Sequence, residues 1–121
     1  MGRKLKVGIL GVRRGASFAH FFEINPHTEL VAICDFDDLH VKKFLNEKKK
    51  ERANVTIYDN YEDFLKHDTD IVMIAGYCTE HAPQAILALK AGKHVLSEVI
   101  ACQTLAEGVE LCRAVEKTKK L

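Results

Sequence analysis

A chain of 121 residues has room for one domain and not for a second substantial one. Hydrophobic residues make up 47% and charged residues 29%, the balance of a folded globular domain rather than a disordered chain. The 18 basic and 17 acidic residues leave a formal charge of +1, so no global field points to nucleic acid or to an anionic membrane.

Cys34, Cys78, Cys102 and Cys112 are widely spaced and form no C-x-x-C pair, and the chain shows no signal-peptide pattern, so the expected compartment is the reducing cytoplasm. The longest apolar runs, such as residues 71–75, are far short of the roughly 20 residues that span a bilayer.

The run from Leu5 to Gly11 is apolar or β-branched along most of its length and ends in glycine, as expected of a strand buried on both faces. A helix follows from about Ala16 to Ile24, with Phe18, Ala19, Phe21 and Phe22 at helical spacing and Asn25-Pro26 as its stop. Residues 29–35 form a second buried strand ending in Asp35. Asp37 or Asp38 then caps a helix to about Arg52, whose inward stripe is Leu39, Val41, Phe44 and Leu45. The charged run from Lys48 to Arg52 reads as the solvated end of that helix, where cations suit the helix dipole.

Residues 55–58 form a short third strand, and Asn60 caps a brief helix from Tyr61 to Lys66. The most apolar run, residues 70–75, is expected as a central strand. A helix from Thr79 to Ala91 follows, with Gly92 just past its end where a left-handed residue is favoured. Residues 94–98 form the fifth strand. Thr104 and Glu107 have capping-box spacing at the start of the last helix, whose inward residues are expected to be Leu105, Val109, Cys112 and Val115.

Five strands alternating with five helices through short connections predict a Rossmann-type α/β fold. It is a doubly wound parallel sheet in three layers, most simply in the order 3-2-1-4-5. Ligands of such sheets bind where the strand order reverses, at the carboxyl ends of the strands. There stands Gly11-Val12-Arg13-Arg14-Gly15-Ala16, at the place of a pyrophosphate turn. Arg13 occupies the position of the second glycine of G-x-G-x-x-G/A, Ala16 the third, and Gly15 supplies flexibility. Arg13 and Arg14 either pair with phosphate oxygens or face solvent. Asp35 lies 24 positions after Gly11, near the ~20 expected of a carboxylate that accepts ribose hydroxyls. That role favours NAD over NADP; the alternative is a plain helix-capping acid.

Together, the runs 7–11, 31–35 and 70–75 and the continuous segment from His81 to Glu98 resemble the amino-terminal domain of the Gfo/Idh/MocA oxidoreductases. These are the relatives of glucose-fructose oxidoreductase and inositol dehydrogenase, and the resemblance covers essentially the whole chain. It implies an NAD(P)-binding domain over residues 1–121 of an enzyme transferring hydride at a hydroxyl-bearing carbon of a sugar or polyol. A carboxyl-terminal substrate domain, absent from these residues, would supply most of the substrate pocket. By the resemblance, Gly11, Val12, Arg13 and Arg14 lie along the diphosphate and Asp35 on the adenosine ribose. Ala75, Gly76, Tyr77 and His81 belong to the cofactor-lining loop and the helix after it, and Glu98 lies near the nicotinamide ribose.

Two departures stand out. The family's Glu-Lys-Pro is Glu98-Val99-Ile100 here, which removes the lysine associated with proton transfer, and its Thr-Pro-Asn loop is Gly76-Tyr77-Cys78. Tyr77 and His81 remain as the nearby groups with proton chemistry. Cys78 and His81 are too few for a zinc site, and no metal is expected. The alternatives to an oxidoreductase domain incompetent for turnover alone are a non-catalytic nucleotide-binding module, sensing redox state or assembling with a partner, and a structural relic without ligand. An open edge beside the fifth strand invites a homo-oligomer.

Overall fold

Five strands form one parallel sheet in the computed structural model, which describes residues 2–121. They are β1 (Leu5–Leu10), β2 (Thr28–Cys34), β3 (Thr56–Tyr58), β4 (Ile71–Ile74) and β5 (His94–Ser97), ordered β3-β2-β1-β4-β5 as predicted. The helices are α1 (Val12–Ile24), α2 (Asp38–Glu47), α3 (Tyr61–Lys66), α4 (His81–Lys90) and α5 (Leu105–Thr118). On one face of the sheet Val7, Ile9, Ile33 and Met73 meet Ala19 of α1 and Phe44 of α2. On the other, Leu10, Cys34, Val72 and Ile74 meet Phe64 of α3 and Ala85 and Ala88 of α4. Because successive strand residues point to opposite faces and both faces are covered, β4 is apolar throughout and β1 is apolar from Val7 onward.

The helix faces depart from expectation in instructive ways. α1 begins at Val12, four residues early, and Phe21 is 64% exposed, because Val12, Gly15 and Ala19 form its buried line. α2 stops at Glu47, and Leu39 in its first turn is 73% exposed. Arg52 lies outside α2 and is buried rather than solvated. Its Nε donates to Glu23 Oε1 at 2.7 Å, its Nη1 donates to the Phe44 carbonyl at 2.5 Å, and its guanidinium lies 3.7 Å from the Phe44 ring centroid. Together with Lys48, Arg52 holds the Glu23 carboxyl below its ordinary range against the opposing effect of burial.

α5 buries Ala114, with Leu111 and Val115 half-buried, instead of the expected stripe. Leu105 is 86% and Val109 41% exposed, and Cys112 is exposed. This helix packs chiefly against α4, and contact with a single helix covers a narrower strip than contact with a sheet. Of the four cysteines only Cys34 is buried; Cys102 is half-buried. The expected open edge of β5 is partly covered, since the Val95 amide donates to the Leu121 carbonyl at 2.8 Å. Among the described residues no helix is long and apolar enough to cross a membrane.

At the amino-terminal end of the sheet Asp70 accepts two hydrogen bonds from Arg3, at 2.6 and 2.7 Å, and one from the Lys6 amide at 2.8 Å. The Arg3 guanidinium foremost, with the Lys6 amide, holds the Asp70 carboxyl well below the usual carboxylate range. A depressed folded-state pKa contributes stability that is present above the unfolded value and lost as pH falls through the folded one. Asp70→Asn is therefore expected to lower stability by about 1 kcal/mol at pH 7, limited by the exposure of Arg3. In urea melts the difference from the parent protein should shrink steadily below about pH 4.

Candidate functional site

Two consecutive connections, β1 to α1 and β4 to α4, leave neighbouring strands toward opposite faces of the sheet and open a crevice between them. A cavity of about 570 Å³ lies there, walled by segments 10–14, 35–40 and 75–84. Gly11 makes the crevice possible. Its φ is +87°, and a Cβ on it would stand 2.7 Å from the Ala75 carbonyl and the Gly76 nitrogen. Any other residue would combine a strained backbone with a clash against β4's exit.

Gly15 has a steric role, not the flexible one expected. A Cβ there would lie 2.5 Å from Ile9 Cγ2, so its absence sets how closely α1 packs on β1. That is the work the dinucleotide pattern assigns to its third glycine, which falls one position earlier than the count to Ala16. Gly15→Ala is expected to cost about 1–3 kcal/mol through overpacking, measurable as a lower urea midpoint with unchanged slope.

The amino terminus of α1 has no side-chain cap of its own. Asp35 supplies one from across the sheet: its Oδ2 accepts the Val12 amide at 2.9 Å. Its Oδ1 accepts the Asp37 amide, also at 2.9 Å, and lies 3.5 Å from His40 Nδ1. Asp35 thus caps α1, whereas Asp37 caps α2 through the Leu39 amide. A carboxylate offers about four lone-pair sites, so after two backbone amides Asp35 retains acceptor capacity toward the cavity. Behind it Cys34 is fully buried, and burial first, then the Asp35 and Asp59 carboxylates, push its thiol up to about 12. It stays a protonated packing residue.

Of the residues singled out from sequence, Gly11, Arg13, Arg14, Asp35, Ala75, Gly76 and Tyr77 wall the cavity. Arg13 has no ion pair among the described residues, while Arg14 Nε donates to Glu98 Oε2 at 2.7 Å and its guanidinium lies 5.3 Å from the Phe18 ring centroid. Val12 contributes its amide, and its side chain is buried. Tyr77 is 72% exposed at the lip. His81 sits behind the wall, 1% exposed, with Nδ1 2.9 Å from the Ile100 carbonyl and Nε2 3.2 Å from the Gly76 carbonyl. Cys78 is exposed. Glu98 lies off the cavity wall; the Val99 amide, then Arg14, hold its carboxyl below the ordinary range.

Besides Leu10 at the end of β1, five further residues on the wall were not singled out as site residues from sequence: Phe36, Asp37, His40, Glu80 and Gln84. The first three follow directly from Asp35 as the site-facing end of β2, and Phe36 is 61% exposed there. Glu80 and Gln84 lie one and two turns into the connection after β4, where only the packing of α4 decides which side chains face the crevice.

Residues 5–121 match the family described as the GFO_IDH_MocA oxidoreductase family, NAD-binding Rossmann fold. The chain belongs to this family. Among curated relatives it is 35% identical to a glycosyl hydrolase family 109 protein from Phocaeicola vulgatus, over 96% of this chain and 24% of that protein. Among solved structures it resembles the WlbA dehydrogenase of Chromobacterium violaceum in complex with NADH and UDP-GlcNAcA. The TM-score is 0.84 at 27% identity, covering 99% of this chain and 34% of that one. It also resembles scyllo-inositol dehydrogenase from Lactobacillus casei, with TM-score 0.84 and 26% identity over 97% and 34% of the two chains. The chain spans about a quarter of the length of the curated relatives it matches.

The cavity of this Gfo/Idh/MocA domain fits the family's dinucleotide. A turn that excludes any Cβ, a helix amino terminus, an arginine with no ion pair among the described residues and a carboxylate with spare acceptors have the chemistry to suit an anionic diphosphate and a ribose diol. Asp35→Ala should lower stability by about 1 kcal/mol without any ligand, because two amides lose their acceptor. Amide exchange at Val12 and Asp37 should quicken, whereas a carboxylate acting only on ligand would leave both unchanged.

Proposed function

We propose that this domain holds NAD, in preference to NADP, for an enzyme acting on a hydroxyl-bearing carbon of a sugar or polyol. The observation that carries this reading is Asp35, whose carboxylate is fixed by two amides at the ribose end of the cavity. Two ribose hydroxyls satisfy its remaining acceptors, whereas a phosphate on that ribose brings a second negative charge against it. Gly11 lets the backbone approach the diphosphate, and Arg13 with the first turn of α1 offsets its charge. Phe36 presents an exposed aromatic face beside Asp35 for the base.

When bound, NAD supplies a hydride acceptor at its nicotinamide. This chain offers little to move the accompanying proton. Val99 stands where the family has lysine, Glu98 is tied to Arg14 and the Val99 amide, and both His81 nitrogens face carbonyls. Tyr77 is the remaining cavity-wall group with a transferable proton near that end. The acid or base then comes from the larger part of the enzyme, which also holds the substrate, as the UDP-GlcNAcA bound to one relative suggests. The glycosyl hydrolase name among the relatives is compatible with the same cofactor domain, since some glycosidases use NAD. Val99 also supports a second reading, a nucleotide-binding module without turnover. Association between copies remains part of the proposal, through β5 where Leu121 leaves its edge open.

Melting curves against NAD, NADH and NADP test this. At ~100 times Kd a ligand raises stability by about 2.7 kcal/mol. NAD and NADH should shift the midpoint, NADP should need at least tenfold higher concentration, and Asp35→Ala should abolish that discrimination. Equal response to NAD and NADP would show that Asp35 does not select between them. Turnover of inositol or a UDP-sugar by residues 1–121 alone would refute the need for a further substrate-holding part.

A further inference from the structure

Gln84 on α4 is 9% exposed and lies on the wall of the cavity, yet its Oε1 has no hydrogen-bond partner among the described residues. A buried acceptor left unpaired is costly, so its persistence in a wall facing a ligand site calls for a donor on the ligand. The orientation of the amide is not free. Nε2 donates to Glu80 Oε2 at 3.3 Å, and since a carboxylate accepts only from a donor, Oε1 is the atom left unpaired. Oε1 stands 3.8 Å from where a Cβ on Gly76 would be, so it flanks the residue that closes the cavity after β4. The Gln84 backbone is anchored as well, its carbonyl accepting the Tyr61 hydroxyl at 2.7 Å.

We propose that Gln84 reads the adenine base of the dinucleotide by accepting a hydrogen bond from its exocyclic amine. The inference rests on the reading of the cavity as a dinucleotide site. Tyr61, which donates to the Gln84 carbonyl, belongs to α3, and α3 packs on β2, so the Gln84 backbone is tied toward the strand that ends at Asp35, the end the proposed function gives to adenosine. The donors available at that end are few. The diphosphate has none at neutral pH, the ribose hydroxyls meet Asp35, and the adenine ring carries one N–H donor group, its 6-amine. Phe36 would hold the face of the base while Gln84 takes its edge. The pairing of an apolar wall with one fixed polar atom is the usual source of specificity in such pockets.

Nicotinamide hypoxanthine dinucleotide provides the comparison, because it differs from NAD in carrying a 6-oxo group where adenine has the amine. That oxygen would face Oε1, acceptor against acceptor. Isothermal titration of the 121-residue chain should give at least tenfold tighter binding of NAD than of the hypoxanthine analogue. Gln84→Met, close in length and without the amide, should bind both equally, at the affinity the parent protein has for the analogue. Without nucleotide, Gln84→Met should melt no lower than the parent, because a buried unpaired acceptor has been removed. Equal binding of NAD and the analogue by the parent chain would overturn the role of Gln84 and leave the dinucleotide site standing. Binding of neither would overturn both. A lower melting point for Gln84→Met without nucleotide, with its preference for NAD retained, would make Gln84 a structural residue only.

Discussion

The Asp35 carboxylate is the constraint on which the rest of the site depends. It ends β2 but caps α1, a helix on the far side of the β1 turn, and the same group fixes the Asp37 amide where the chain turns toward α2. Three segments are thereby set in position by two hydrogen bonds of 2.9 Å. Gly11 completes the arrangement from the other side by allowing the β1 turn to touch Ala75 at the exit of β4. The width of the crevice follows from these two contacts, since one holds α1 toward β2 and the other holds its first residue against β4.

The two ends of the sheet are built on opposite principles. At the amino-terminal end the charged groups are matched within the protein: Asp70 with Arg3 and the Lys6 amide, Lys6 with Asp68, and Lys93 with the carbonyls of His67 and Thr69. At the carboxyl end polar capacity is left unspent. Asp35 keeps lone pairs beyond its two amides, Arg13 lacks an ion pair among the described residues, and Gln84 Oε1 is buried without a partner. Unmatched polar groups converging on one cavity distinguish a binding end from a structural one.

The same comparison separates binding from chemistry. Apart from Tyr77, the groups near Glu98 that would move a proton are occupied or replaced: His81 lies between two carbonyls, Glu98 is held by Arg14 and the Val99 amide, and valine and isoleucine follow it where the resemblance leads one to expect lysine and proline. Arg14 is drawn into this pairing as well, which leaves Arg13 as a cavity-wall cation with no ion pair among the described residues.

Strand order, the glycine turn and the carboxylate at the end of β2 were all legible in the sequence, because each depends on local features: continuous apolar runs, a glycine at a strand end, an acid where the pattern changes. Helix faces were less so. The stripe Leu105, Val109, Cys112, Val115 has sound helical spacing, but α5 meets α4 and buries Ala114, with Leu111 and, of the expected stripe, only Val115 half-buried. Arg52 looked like the end of a solvated charged run, and only the approach of Glu23 and the Phe44 ring made its burial favourable. The sequence by itself determined the alternation, the sheet order and the glycine turn at the end of β1, since the spacing of apolar, glycine and acidic residues suffices for these. Only the tertiary structure decided that Asp35 caps α1, that Gly15 is the packing glycine, and that Gln84 Oε1 is buried at the cavity wall with no partner among the described residues. Each of these joins residues remote in the chain, and the distances between them exist only once the helices are packed.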